Sequence, residues 1–132
     1  MEIYVDGASA GDPGLSGAGI VIIAEGIYEQ ISIPLGTMSN HEAEFIAIEK
    51  ALTIAFSYSP TFIRLYSDSK IAIDSIEKKH AKNPLFKPHL DAILALTASL
   101  ELFFIQWLPS ASNKKADDLA RQAIQKQRSA RS

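Results

Sequence analysis

Cysteine is absent from the 132 residues. That excludes disulfide staples and thiolate metal sites, and it fits a reducing compartment. Histidine is scarce and scattered: His41, His80 and His89 have no spacing that would hold zinc. Long apolar runs are missing too. The stretch from Ala92 to Leu108 is broken by Thr97, Ser99, Glu101 and Gln106, so no membrane span is expected. Nor is positive charge in excess. With a net charge of −2, any polyanion must be held by local patches rather than by the global field. Lys78, Lys79, His80, Lys82 and Lys87 form one patch, and Arg121, Lys126, Arg128 and Arg131 load the C-terminal end. Each patch also reads as a solvated helix end or a frayed tail. Familiar phosphate and acyl-transfer signatures are lacking as well. The glycine-rich segment from Gly7 to Gly17 has no Gly-Lys-Ser/Thr ending and precedes a strand rather than a helix, and no Gly-x-Ser-x-Gly elbow occurs.

What is present suffices for one domain. Hydrophobic residues make up 47% and charged residues 21%, the balance of a globular chain with a real core. A single domain over 1–128 is expected, with a basic C-terminal tail at 129–132. Met1-Glu2-Ile3-Tyr4-Val5 runs straight into a strand pattern and leaves no room for a signal peptide, so a cytoplasmic location is expected.

Ile3 to Val5 reads as a short central strand, followed by a glycine-punctuated loop. Ala18 to Ala24 and Ile27 to Ile33 read as a hairpin turning at Glu25-Gly26 and ended by Pro34 and Gly36. Ser39 to Phe56 is helical, with Phe45, Ile48, Leu52 and Ala55 on one stripe. A strand over 62–66, a helix over 69–79, a helix over 89–100, a strand over 102–108 and a helix from about Lys114 to Gln127 complete the chain. The expected class is α/β: a five-stranded mixed sheet flanked by helices on both faces. Its first three strands are antiparallel, and the first, fourth and fifth are parallel through right-handed crossovers. In such sheets ligands bind at the carboxyl ends of the parallel strands.

Four acids stand near that edge or at helix starts: Asp6, Glu44, Asp68 and Asp117. Each has a bland reading. Asp6-Gly7 is a common turn pair, and Asp68 could cap a helix. Ser39-Asn40-His41-Glu42 fits a capping box, which gives Glu42 a structural job but leaves Glu44 on the sheet-facing side. Ser69 can cap in place of Asp68. With Asn113 as a helix cap, Asp117 shares the apolar edge with Ala120 and Ile124, whereas Asp118 faces out with Arg121, Gln122 and Gln125. Together the four resist a bland reading. Converging carboxylates cannot all stay ionised without protons or cations, and hard Mg²⁺-like ions leave no Cys or His signature.

The chain resembles type 1 ribonuclease H along nearly its whole length. Asp6-Gly7-Ala8-Ser9, with Gly11-Asp12-Pro13-Gly14 and Gly17-Ala18-Gly19, resembles that family's opening segment. Asn40 with Ala43-Glu44-Phe45, Ser67-Asp68-Ser69, and Asn113-Lys114-Lys115-Ala116-Asp117-Asp118-Leu119-Ala120 resemble its other three motifs. The resemblance implies a ribonuclease H-like fold and a catalytic, metal-binding tetrad of Asp6, Glu44, Asp68 and Asp117 holding two Mg²⁺ or Mn²⁺ ions. It also implies hydrolysis of the RNA strand of RNA–DNA hybrids to 5′-phosphate and 3′-hydroxyl ends. Minor-groove 2′-hydroxyls would meet the backbone at Gly7 to Gly11, with Ser9, Asn40 and Ser69. Lys78, Lys79, Lys82 and Lys87 would hold phosphates of the other strand. A monomer without an obligate protein partner is expected.

Several positions depart from the family pattern. Asp12 stands where Asn is usual, His41 and Lys70 replace common Asn and Gln, and Pro109-Ser110-Ala111-Ser112 lacks the loop His of many members. This places the chain with a His-less subset that has no separate hybrid-binding domain. The alternatives are a Holliday-junction resolvase, against which the Asp-Gly-Ala-Ser opening speaks, and a low-activity or non-catalytic protein that binds hybrid or other nucleic acid.

Overall fold

A computed structural model describes residues 1–131 of the chain, without the side chain of position 131. Its elements are β1 (Glu2–Ser9), β2 (Gly14–Ala24), β3 (Ile27–Met38), α1 (Asn40–Ala55), β4 (Phe62–Ser67), α2 (Lys70–Lys78), α3 (Lys87–Thr97), β5 (Leu102–Trp107) and α4 (Lys114–Arg131). The expected element order holds. One sheet runs β3-β2-β1-β4-β5, with β1/β2 and β2/β3 antiparallel and β1/β4 and β4/β5 parallel. Among the described residues, no helix is long and apolar enough to cross a membrane.

The first three strands are longer than their apolar runs. β1 continues through Asp6 to Ser9 because β2 pairs with it as far as Ser9↔Ser16, reducing the expected loop to 10–13. β3 passes through Pro34 and Gly36 instead of stopping at Ile33. It lies at the sheet edge, where proline's missing N–H costs no ladder bond, and the β2–β3 register shifts between Ser16 and Gly17, opposite Pro34. Gly36 adopts a φ of 82° and donates its N–H to the Gln127 side chain at 3.0 Å. Of the tail expected at 129–132, the backbone through 131 continues α4, and Ser132 lies outside the described residues.

Strand alternation divides the sheet into two faces. Ile3, Val5, Ala18, Ile20, Ile22, Ile63 and Leu65 are buried with Phe45, Ile48 and Leu52 of α1 and with Leu90 and Ile93 of α3. On the opposite face α4 lies across β2, held close by small residues. A Cβ on Gly17 would sit 2.4 Å from the Ala120 carbonyl oxygen, and one on Gly19 would sit 1.8 Å from that of Ala116. On the first face, a Cβ on Gly7 would sit 2.3 Å from the Ala43 carbonyl oxygen of α1. These contacts bring the start of α1 and the first turns of α4 against opposite sides of β1.

Candidate active site

Pairing places the acids. Asp6 pairs with Gly19 across β1/β2, so its side chain shares the α4 face of the sheet. Because α4 crosses Gly19 at Ala116 and Ala120, Asp117 is delivered next to Asp6. On the parallel side Tyr4 pairs with Tyr66, and two residues further on Asp6 stands level with Asp68, just past β4. Gly7 presses on the backbone of Ala43 and Glu44, which brings Glu44 to the same end of β1. All four acids line one open cleft of about 430 Å³.

Local capping frees these carboxylates. Ser69 Oγ accepts the Ala72 N–H at 3.2 Å and caps α2, leaving Asp68 uncommitted to the helix. Ser39 caps α1 by accepting the Glu42 N–H at 3.2 Å. The reciprocal half of the expected capping box does not form, since the Glu42 carboxylate pairs with His89 Nε2 at 3.2 Å and so ties α1 to α3. Asn113 stands at the expected cap position, directly before α4. Its backbone carbonyl accepts the Asp117 N–H at 3.1 Å, but its buried side chain donates to the Val5 carbonyl at 2.9 Å and pins α4 to β1. Asp118 is exposed, as helical phase predicts, and Asp117 is half-buried.

Each acid has its own environment. Glu44 accepts from Asn40 Nδ2 at 2.9 Å and from the Ser69 hydroxyl, with His41 Nδ1 at 3.3 Å. Asp68 accepts from the Ser110 hydroxyl at 2.7 Å, and the indole of Trp107 donates to its carbonyl at 3.2 Å. Asp117 pairs with Arg121 Nε at 3.0 Å. Asp6 is 7% exposed. Burial, then the charge of Asp68, then Asp117, push its carboxyl up to about 9. Among the described residues, no group of three such side chains stands in metal-cage geometry. The donor set still fits hard divalent cations. It is all oxygen, and the proton that Asp6 retains is what a cation would displace.

The other expected contacts divide into three groups. Gly7, Ser9 and Asn40 line the cleft, whereas Gly11 and Ser69 do not. Ser9 is half-buried, and its hydroxyl lies against the carbonyls of Gly11, Gly14 and Met38, bracing the turn at 10–13. Lys78 and Lys82 share a separate groove with His80. Lys79 ends α2 with a φ of 56°, and Lys87 pairs with Asp91 at 2.9 Å. Sequence reasoning missed Ser110 as a lining residue of the cleft, and it set Arg121 and Gln125 on the outward face with Asp118, and Arg128 in a basic C-terminal patch. Ser110, Gln125, Arg121 and Arg128 all line the cleft, the α4 residues at its open, solvent-exposed side. Helical phase from Asp117 could have found the last three, since positions 121, 125 and 128 follow it along one side of a helix.

The family model for RNase H matches residues 1–125. The chain is 46% identical over 128 residues to an Enterococcus faecalis protein named "Putative hydrolase EbsB", covering 96% of this chain and 95% of that one. It is 29% identical to a ribonuclease H of Trichodesmium erythraeum, over 96% of this chain and 89% of the relative. Among solved structures, RNase H1 of Halobacterium salinarum superposes with a TM-score of 0.88 at 26% identity, over 95% of this chain and 97% of that one. LC11-RNase H1, solved in complex with an RNA/DNA hybrid, gives 0.87 at 25% identity over 95% and 96%. This chain belongs to the ribonuclease H family, as a type 1 member. Membership supports ribonuclease H activity in general terms.

Proposed function

We propose that the chain is a two-metal-ion endonuclease that hydrolyses the RNA strand of RNA–DNA hybrids, leaving 5′-phosphate and 3′-hydroxyl ends. The observation that carries this reading is the meeting of Asp6, Glu44, Asp68 and Asp117, from four separate elements, in one cleft where Asp6 is driven to keep a proton. Mg²⁺ or Mn²⁺ bound there would supply an activated water and stabilise the departing 3′ oxygen. The chain's own part is to position. Asn40 and Ser69 orient the two oxygens of Glu44, and Ser110 fixes Asp68. Asp6 would hold such an ion in its deprotonated form. Gly7 lets α1 pack against β1, which holds Glu44 beside the other acids.

The test is cleavage of labelled hybrid, duplex DNA, duplex RNA and a four-way junction, each with Mg²⁺, Mn²⁺ or chelator. Internal cuts in the RNA of the hybrid alone, abolished by chelator, are expected. Cutting that survives chelator, or that prefers duplex DNA, would overturn the assignment. A low-activity or non-catalytic hybrid binder is the second reading, favoured by the Arg121–Asp117 pair at 3.0 Å, which engages the fourth acid. Single-turnover rates separate the two: measurable hybrid binding with no metal-dependent cleavage selects the binder.

A further inference from the structure

The cleft has two walls of opposite character. Asp6, Glu44 and Asp68 form one, and α4 forms the other, where Asp117 is followed by Arg121, Ile124, Gln125 and Arg128. These α4 positions succeed Asp117 at intervals of three to four residues, so they form a stripe rather than a scatter. Along the helix axis Arg121 is about 6 Å and Arg128 about 16 Å beyond Asp117. An exposed basic residue at the end of a helix is ordinarily a solvated charge. Here both arginines line the same cavity as the acids.

We propose that this stripe is a phosphate track for the strand being cut, with Arg121 and Arg128 each engaging a backbone phosphate beside the scissile one and Gln125 donating between them. The inference rests on the hybrid-cleaving reading and adds to it which wall of the cleft the RNA backbone follows. A strand presenting a phosphate to the four acids must leave the cleft along one of its walls, and α4 is the wall whose charge suits a polyanion. Guanidinium is the fitting group, since its planar fork holds phosphate through two parallel hydrogen bonds. Arg121 also has a reason to be near before substrate arrives: Asp117 keeps its Nε at 3.0 Å while the guanidinium side chain remains 70% exposed. Lys78 and Lys82 lie in a different groove and belong to the opposite strand in this arrangement.

The experiment uses the cleavage-impaired Asp68→Asn chain, a fixed hybrid and a salt series, with Arg121→Gln and Arg128→Gln added singly. Thermal melting checks that each variant is folded. Each substitution is expected to weaken hybrid binding several-fold and to lower the salt slope by about one phosphate equivalent. Arg121→Gln should leave Mn²⁺ binding in the absence of substrate equal or tighter, because a competitor for Asp117 is gone. Repeating the series with a hybrid whose DNA strand carries neutral methylphosphonate linkages identifies the strand. The cost of both substitutions should survive, since the contacted phosphates lie on the RNA. A cost that disappears with the neutral DNA strand, or an unchanged slope for both variants, would overturn the track. If Asp68→Asn itself binds no hybrid, both the track and the functional reading fail. If it binds and only the arginine effects are missing, the track alone fails.

Discussion

Asp6 shows how one residue links folding to the proposed chemistry. Its carboxyl is pushed up to about 9, first by burial, then by Asp68 and Asp117. The folded state therefore holds this proton more tightly than the unfolded chain does. The associated stability is complete below about pH 4 and is lost as pH rises toward 9, with a slope of up to about 1.4 kcal/mol per pH unit. Melting of the metal-free protein across that range should show the decline, and Asp6→Asn should flatten it. Equal slopes in the two proteins would mean that Asp6 does not carry the proton. Asp68→Asn removes the largest like charge facing Asp6, so it should hold or raise metal-free stability while cutting activity by orders of magnitude. A variant that unfolds yet keeps its specific activity would make Asp68 a structural residue.

At the level of elements, the site depends on how closely α4 approaches β2. Gly19→Ala would put a methyl 1.8 Å from the Ala116 carbonyl oxygen, so α4 must shift, at a cost of about 1–3 kcal/mol. Asp117 would move with it. Loss of hybrid cleavage should thus exceed what the stability change explains, and it should not be rescued by lowering the temperature. A stable, fully active Gly19→Ala would show that the α4 approach does not set the site. Gly36→Ala offers the contrast: a Cβ there meets nothing within 4 Å, and only its φ of 82° opposes the change. It should cost stability and leave activity intact. Asp118→Asn is the matching control on α4, because Asp118 faces solvent while Asp117 faces the cleft. These dependencies also explain what could be read from the chain beforehand. Apolar periodicity located every helix and strand, and helical phase separated Asp117 from Asp118, because both depend on local spacing. The extension of β3 through Pro34, the side-chain path of Asn113 to Val5 and the reach of Glu42 to His89 were not legible. Each is decided by a partner distant in sequence.

Over the whole molecule, an acidic chain must grip a polyanion with two small basic regions that are not contiguous. Lys78 ends α2, about 13 Å along a nine-residue helix from the Ser69 cap, and Lys82 shares its groove. That offset suits a second strand lying across the groove from the strand at the acids. In the Asp68→Asn background, changing Lys78, Lys79 and Lys82 together to Glu should weaken hybrid binding several-fold and flatten the salt slope, since fewer counterions are released. Asp12 acts in the opposite sense. Its carboxylate accepts the Asn40 N–H at 3.3 Å, at the start of α1, where its negative charge favours the helix end but opposes a nearby phosphate. Asp12→Asn keeps an acceptor for that N–H and removes the charge. It should cost at most about 1 kcal/mol of stability and tighten hybrid binding. Affinity measured across a salt series decides both points. If neither the lysine triple nor Asp12→Asn moves the slope or the midpoint, the second strand does not pass these residues. The lysines are then a solvated helix end, and binding must rest on the cleft and the α4 wall alone.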